Sequence, residues 1–208
     1  MYDQSKVSRK EEFINSPKSS MWKLSLPMML GMSVNAIYMM IDMFFVAMYE
    51  PEFGIAALGY VTPFLFMLMG ITFGLGSGVT SVIARFIGQD NKKSADTAAE
   101  HAIVFGVFLY IILLFSSLFF GERLLLSQGL SNPHTLQFSL DYFNIMFAGS
   151  IFMILGVFFR SILSGEGDNV FPVKVLGIGT IINILLDPVL INLYSVKGAA
   201  IATVISQA

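Results

Sequence analysis

Five apolar runs, at roughly 22–48, 55–84, 98–120, 136–163 and 170–194, constrain this chain more than any other feature. Each is long enough to cross a hydrocarbon layer about 30 Å thick, which takes about 20 mostly apolar residues in a helix. A water-soluble domain of 208 residues has no interior large enough to hide five such stretches. Composition agrees: charged residues make up 12% and mean hydropathy is +0.75, where soluble domains carry about 25% charged residues. In a bilayer only helices and closed barrels satisfy their own backbone groups, and runs of this length are helical. The expected fold is therefore an all-α membrane protein, a polytopic helical bundle. It would have five full transmembrane helices plus a truncated sixth, since the run at 198–208 is too short to cross. Residues 1–20 are polar and form a tail; residues 21–208 form one transmembrane lobe. Because the chain ends inside a helical run, it reads as part of a longer protein.

The polar tail has no apolar segment followed by a small-residue cleavage site, so the first span is expected to serve as the insertion signal. With no cysteine, disulfides and thiolate sites are excluded. Net charge is −2, which offers nothing to nucleic acid. Lys and Arg set the orientation. An N-terminus in the cytoplasm puts ten of the twelve cations on that side, and only Arg123 and Lys197 outside. The spans at 22–48 and 55–84 are long enough to tilt or bend, and Pro27 and Pro63 offer places to bend.

Asp42 and Asp187 are the two acidic residues set deep in spans. An ionised carboxylate at mid-membrane costs about 2.5–3.5 kcal/mol on insertion scales, so such a group faces the bundle interior or water. Desolvation penalises its charged form, so it recruits a cation or a proton. A purely structural role, an Asp bonded to a neighbouring helix, is the simpler alternative for either residue alone. Their company argues against it. Asn35, Tyr38 and Asp42 fall on one face of the first helix; Asn183 and Asp187, four apart, share a face of the fifth. If the faces meet, two carboxylates, two amides and a phenol form a pocket suited to Na⁺ or H⁺. The pocket would lie in the outer half of the bundle. Pro188 follows Asp187 directly, removes a backbone donor and should loosen the helix by freeing the Ile184 carbonyl.

A short repeat supports a duplicated helix pair. Asp42 precedes Gly54-Ile55-Ala56 by twelve residues, and Asp187 precedes Gly198-Ala199-Ala200 by eleven. Gly70, Gly74 and Gly78 form a small-residue stripe expected to pack against a neighbouring helix. Gly165-Glu166-Gly167-Asp168 has the form of an intramembrane protease motif, yet it sits in a loop with no Tyr-Asp partner in a span; a tight turn is expected. His101 and His134 stand alone, so no metal centre beyond a Na⁺ site is expected. Most of the 13 Met and 20 Phe are expected to face lipid or pack.

The chain resembles the multidrug and toxic compound extrusion (MATE) transporter family. The resemblance is carried in order by Leu26-Pro27-Met28-Met29 with Gly31, by Tyr38 and Asp42, and by Ile83-Ala84-Arg85-Phe86-Ile87-Gly88. It continues through Ser164-Gly165-Glu166-Gly167-Asp168, Asn183-Ile184-Leu185-Leu186-Asp187-Pro188 and Gly198-Ala199-Ala200-Ile201-Ala202-Thr203. It implies twelve helices in two six-helix lobes, with this chain as the N-terminal lobe and the C-terminal lobe as its missing partner. It implies a multidrug efflux antiporter of the plasma membrane rather than an enzyme, without a cofactor, exchanging small organic cations for H⁺ or Na⁺ across the lipid bilayer. It places the cation site at Asp42, Asn183, Asp187 and Thr203, Tyr38 in the same cavity, and a protonation-linked bend at Pro27. Two alternatives stay open: a flippase for a lipid-linked precursor on a related fold, or an inactive truncated remnant. The flippase would call for cationic residues in the central cavity, and none is set deep in the spans, where Lys23, Arg160 and Lys174 stand only near the ends.

Overall fold

The computed structural model describes residues 17–50 and 52–208, except for the side chains at 17, 20, 24, 27, 28, 32, 34, 35, 38 and 42 within the first helix. Six α-helices account for the described regular structure: α1 Pro17–Tyr49, α2 Phe53–Gly88, α3 Lys92–Ser127, α4 Pro133–Gly165, α5 Val170–Tyr194 and α6 Val196–Gln207. Four of them, α2 to α5, are long and apolar enough to cross a membrane, which makes this a multi-pass membrane protein. The side chains of Pro27, Asn35, Tyr38 and Asp42, expected to bend the helix or line the site, lie outside the described set.

The helices run beyond the apolar windows. The third was expected at 98–120 and extends from Lys92 to Ser127. Apolarity marks only the hydrocarbon-embedded part, while backbone hydrogen bonding continues until a cap or turn intervenes. The caps are visible: Asn91 Oδ1 accepts from the Ser94 amide at 3.1 Å, and Asn132 Oδ1 accepts from the His134 and Thr135 amides, with Pro133 at the first helical position. The Gly165–Asp168 segment is the tight turn expected. Gly167 takes a left-handed φ of +87°, and Asp168 Oδ1 accepts from the amides of Val170 and Phe171.

One expectation needs correction. Among the described residues nothing packs on Gly70, Gly74 or Gly78: a methyl added at any of them meets open space. The close approach on α2 is made by Gly76 instead, where a methyl would come within 2.6 Å of the Ser161 hydroxyl of α4. The stripe fell on the outward face because the inward face of α2 is set by Val61, Leu68, Thr72, Gly76 and Ile83. Pro188 stands inside α5, which is helical from Val170 to Tyr194.

Helix α4 is the hub. It packs on α2, α3 and α6, and it buries more of its length than the other spans. Without a hydrophobic driving force between helices in lipid, close fit decides the contacts. Rings of α4 sit over glycines of α3: Phe158 over Gly106 and Phe143 over Gly121. Phe143 also meets Phe64 of α2 edge-on at 5.7 Å and stacks on Phe147 at 4.2 Å. Helix α5 packs on α1 and α6, and α6 closes back onto α4, with Val204 over Gly149. Large apolar side chains line the outside, Phe108, Phe115, Leu118 and Phe119 of α3 among them, as expected of a lipid-facing surface.

Candidate cation site

The buried face of α5 is a single stripe, Thr180, Asn183, Asp187 and Ile191, at spacings of three, four and four. Asn183 and Asp187 are both 0% exposed. The Asn183 amide Nδ2 donates to Asp187 Oδ1 at 3.1 Å, one helical turn away. That bond uses one oxygen of the carboxylate and the donor end of the amide, and it leaves the other carboxylate oxygen and the amide oxygen buried.

Helix α6 supplies the third group. Gly198 lies against the Leu190 carbonyl, and a methyl on Gly179 would come within 2.7 Å of the Ser206 carbonyl. These two contacts fix α5 and α6 as antiparallel neighbours and fix their register. Thr203 is 3% exposed, and its helix face is otherwise small: Ala199, Ala200 and Ala202 are each fully buried.

Among the described residues, Asn183 Oδ1, Asp187 Oδ2 and Thr203 Oγ1 are buried without a hydrogen-bond partner. Each such atom costs about 1–3 kcal/mol of unrecovered desolvation. Buried polar groups are nearly always satisfied, so three orphans on one helix pair call for a ligand or an unmet partner. All three are oxygens, the donor set of a hard cation. Other buried hydroxyls show what satisfaction looks like: Thr72, Ser117, Ser139, Ser150 and Thr180 each donate to a carbonyl of their own helix. Thr203 does not.

The structure buries Asn183, Asp187 and Thr203, three of the four residues that the family resemblance assigns to a cation site, on the packed helices α5 and α6. It places Pro188 beside them in α5, partly covered. The fourth, Asp42, and the cavity residues Asn35 and Tyr38 stand on α1, which packs against α5; their side chains are outside the described set. His101 Nδ1 meets only the Thr97 carbonyl, at 2.7 Å, and His134 rests on Phe53. Among the described residues no cluster of three metal-ligating His, Asp or Glu occurs.

Sequence reasoning missed a polar cluster at the turn between α5 and α6. Lys197 Nζ pairs with Asp141 Oδ2 at 3.1 Å, Gln137 donates to Asp141 Oδ1, and the Ser195 hydroxyl donates to Glu50 Oε1 at 2.8 Å. A signal was present: Lys197 and Asp141 both fall near helix ends assigned to the same side of the membrane.

Comparison with known proteins decides the family. The MatE family model matches residues 27–189. This chain belongs to the MatE family. The multidrug export protein MepA of Staphylococcus aureus is 28% identical over 192 residues, covering 90% of this chain and 42% of that protein. A MOP superfamily transporter from Pyrococcus furiosus superposes with a TM-score of 0.87 at 32% identity, over 92% of this chain and 42% of its own. A MATE structure described as being in the bent conformation gives 0.86 at 32% identity, over 92% and 43%. The chain therefore spans about two fifths of the length of the relatives it matches.

Proposed function

We propose that this chain is the N-terminal lobe of a secondary active multidrug efflux transporter, exchanging organic cations for H⁺ or Na⁺ in the plasma membrane with its N-terminus in the cytoplasm. The lobe would comprise residues 21–208 as five full spans and part of a sixth, after a cytoplasmic tail at 1–20. The observation that carries the reading is the set of three orphaned oxygens on Asn183, Asp187 and Thr203, buried at membrane depth in a MatE chain. Asp42 on α1 would complete the site, with Tyr38 and Asn35 lining the adjoining cavity. The Lys/Arg asymmetry supports the orientation, and the salt bridge and hydrogen bond at the α5–α6 turn fit a common side for Glu50, Asp141, Ser195 and Lys197.

In this mechanism a cation arriving from outside binds between α1 and the α5–α6 pair. It neutralises Asp187 and Asp42 and gives the three orphaned oxygens a partner. Neutralisation changes how α1 lies against α5, with Pro27 and Pro188 as the points of give. That change lowers the affinity for a cationic drug, which leaves outward. Ion and drug are coupled because each biases the same conformational equilibrium in the opposite sense. The test is ethidium efflux and resistance in cells expressing the protein. Asp187→Asn and Asp42→Asn should each abolish ion-driven efflux while membrane expression persists; wild-type efflux in both would overturn the assignment.

A further inference from the structure

The α5–α6 turn is a single residue, Ser195, held at a left-handed φ of +54° although it is not glycine. Its amide donates to Ile191 and its carbonyl accepts from Gly198, so α5 and α6 meet at a sharp corner. Three directed polar contacts grip that corner from outside. The Ser195 hydroxyl reaches Glu50, the residue that joins α1 to α2. Lys197, in the first turn of α6, pairs with Asp141 of α4. Gln137 of α4 holds the other carboxylate oxygen of Asp141. Beneath them, Val46 and Val196 are fully buried, and a methyl on Gly54 would press on both as well as on Glu50. The end of α1, the start of α2 and the start of α6 therefore converge at one point.

Ser195 also ends α5, so the corner ties α5 and α6 to the end of α1, and these three helices carry the cation-site residues. Asp42 lies eight residues before Glu50, about 12 Å of helix; Asp187 lies eight before Ser195, and Thr203 six after Lys197, about 9 Å. Apolar packing alone lets helices slide by small amounts with little cost. Directed hydrogen bonds and an ion pair fix rotation and register. Asp141 suits this role because its side chain is only 18% exposed while Lys197 is 50% exposed. Removing the cation from a mostly covered carboxylate costs more than breaking a surface pair, because the charge left behind is poorly solvated.

We propose that Asp141, Lys197, Glu50 and Ser195 are positioning residues that set the spacing of α1, α5 and α6 and thereby the cation affinity of the site. The proposal rests on the cation-site reading above. Outer-shell groups that orient ligands typically change affinity by about 10–100-fold when removed.

The experiment uses the full chain reconstituted in phosphatidylethanolamine–phosphatidylglycerol vesicles. Thermal unfolding is followed while Na⁺ is titrated at fixed pH, and while pH is titrated without Na⁺. The baseline transition reports folding; the midpoint of cation-linked stabilisation reports affinity. Lys197→Met and Asp141→Asn should weaken the midpoint by about tenfold, or about one pH unit for protons. Lys197→Arg should keep the wild-type midpoint, and the swapped pair D141K/K197D should recover it. A baseline that falls while the midpoint stays put overturns the proposal, as does a swapped pair that folds without recovery. If Asp141→Asn does not fold, Ser195→Ala against Glu50→Gln decides: Ser195→Ala removes the donor and should shift the midpoint, whereas Glu50→Gln keeps an acceptor and should not. Equal midpoints in both overturn the idea. Asp187→Asn separates the two readings. Cation-linked stabilisation that survives it removes the cation site itself, whereas its loss there, with unmoved midpoints in the corner variants, removes the positioning role alone.

Discussion

The α2–α3–α4 side and the α5–α6 pair solve the same problem differently. On the first side, buried hydroxyls spend their hydrogen on a carbonyl of their own helix, as Thr72 does to Leu68 at 2.8 Å and Ser150 to Phe147 at 2.8 Å. Those helices are joined by rings over glycines and by side-chain bonds to a neighbour's backbone: Thr80 to the Ser161 carbonyl at 2.9 Å, Tyr110 to the Ala148 carbonyl at 3.0 Å and Gln128 to the Tyr60 carbonyl at 2.9 Å. On the second side, an amide and a carboxylate bond each other, and three oxygens remain unpartnered. A lobe can thus hold one rigid, internally satisfied half and one half whose polar groups await something. Stability and function are segregated by helix.

The sharpest way to break this comparison is Asp187→Asn. It should abolish ion-driven ethidium efflux, a loss of about 100-fold or more in an exchange assay, while a serine-to-alanine change at Ser150 leaves exchange intact. Next in size is Asn183→Leu, which strips Asp187 of its bond within a buried site. It should lower stability by about 3 kcal/mol. The double change N183L/D187L should restore or exceed wild-type stability, read as melting temperature in vesicles, and still fail to bind a cation. Close-packed glycine comes third. Gly121→Ala pushes a methyl to 2.8 Å from the Phe143 ring and should cost about 1–3 kcal/mol. Gly74→Ala faces open space and should be neutral or stabilising by up to about 1 kcal/mol through helix propensity. The smallest contrast is the most informative. Thr72→Val removes a made hydrogen bond and should cost about 1 kcal/mol. Thr203→Val removes an unmade one and should cost less, while weakening the cation midpoint several-fold. Equal costs at 72 and 203 would erase the distinction between the two halves.

The repeat seen in sequence acquires a physical content. Gly54 and Gly198 both stand at the start of a helix that follows an Asp-bearing one, and both are sites of close approach. Gly54 is crowded by Glu50, Val46 and Val196, and Gly198 by the Leu190 carbonyl. In each pair the glycine lets the second helix turn back tightly against the first.

Sequence alone determined the class and singled out a candidate site. Apolar runs this long admit only spanning helices, because the other backbone that satisfies itself in lipid, a closed barrel, is built of short alternating strands. A carboxylate at that depth demands a partner, so Asp187 with Asn183 one turn away could be singled out from spacing. Tertiary structure decided the rest, for a reason common to each case: it depends on which helices touch and in what register. Spacing cannot tell an outward stripe such as Gly70, Gly74 and Gly78 from the inward Gly76. It cannot set α6 back against α5, which follows from the Gly179–Ser206 and Gly198–Leu190 contacts. Nor can it pair Asp141 with Lys197 across 56 positions of chain. Local chemistry is written residue by residue, whereas the meeting of two helices is a property of neither one.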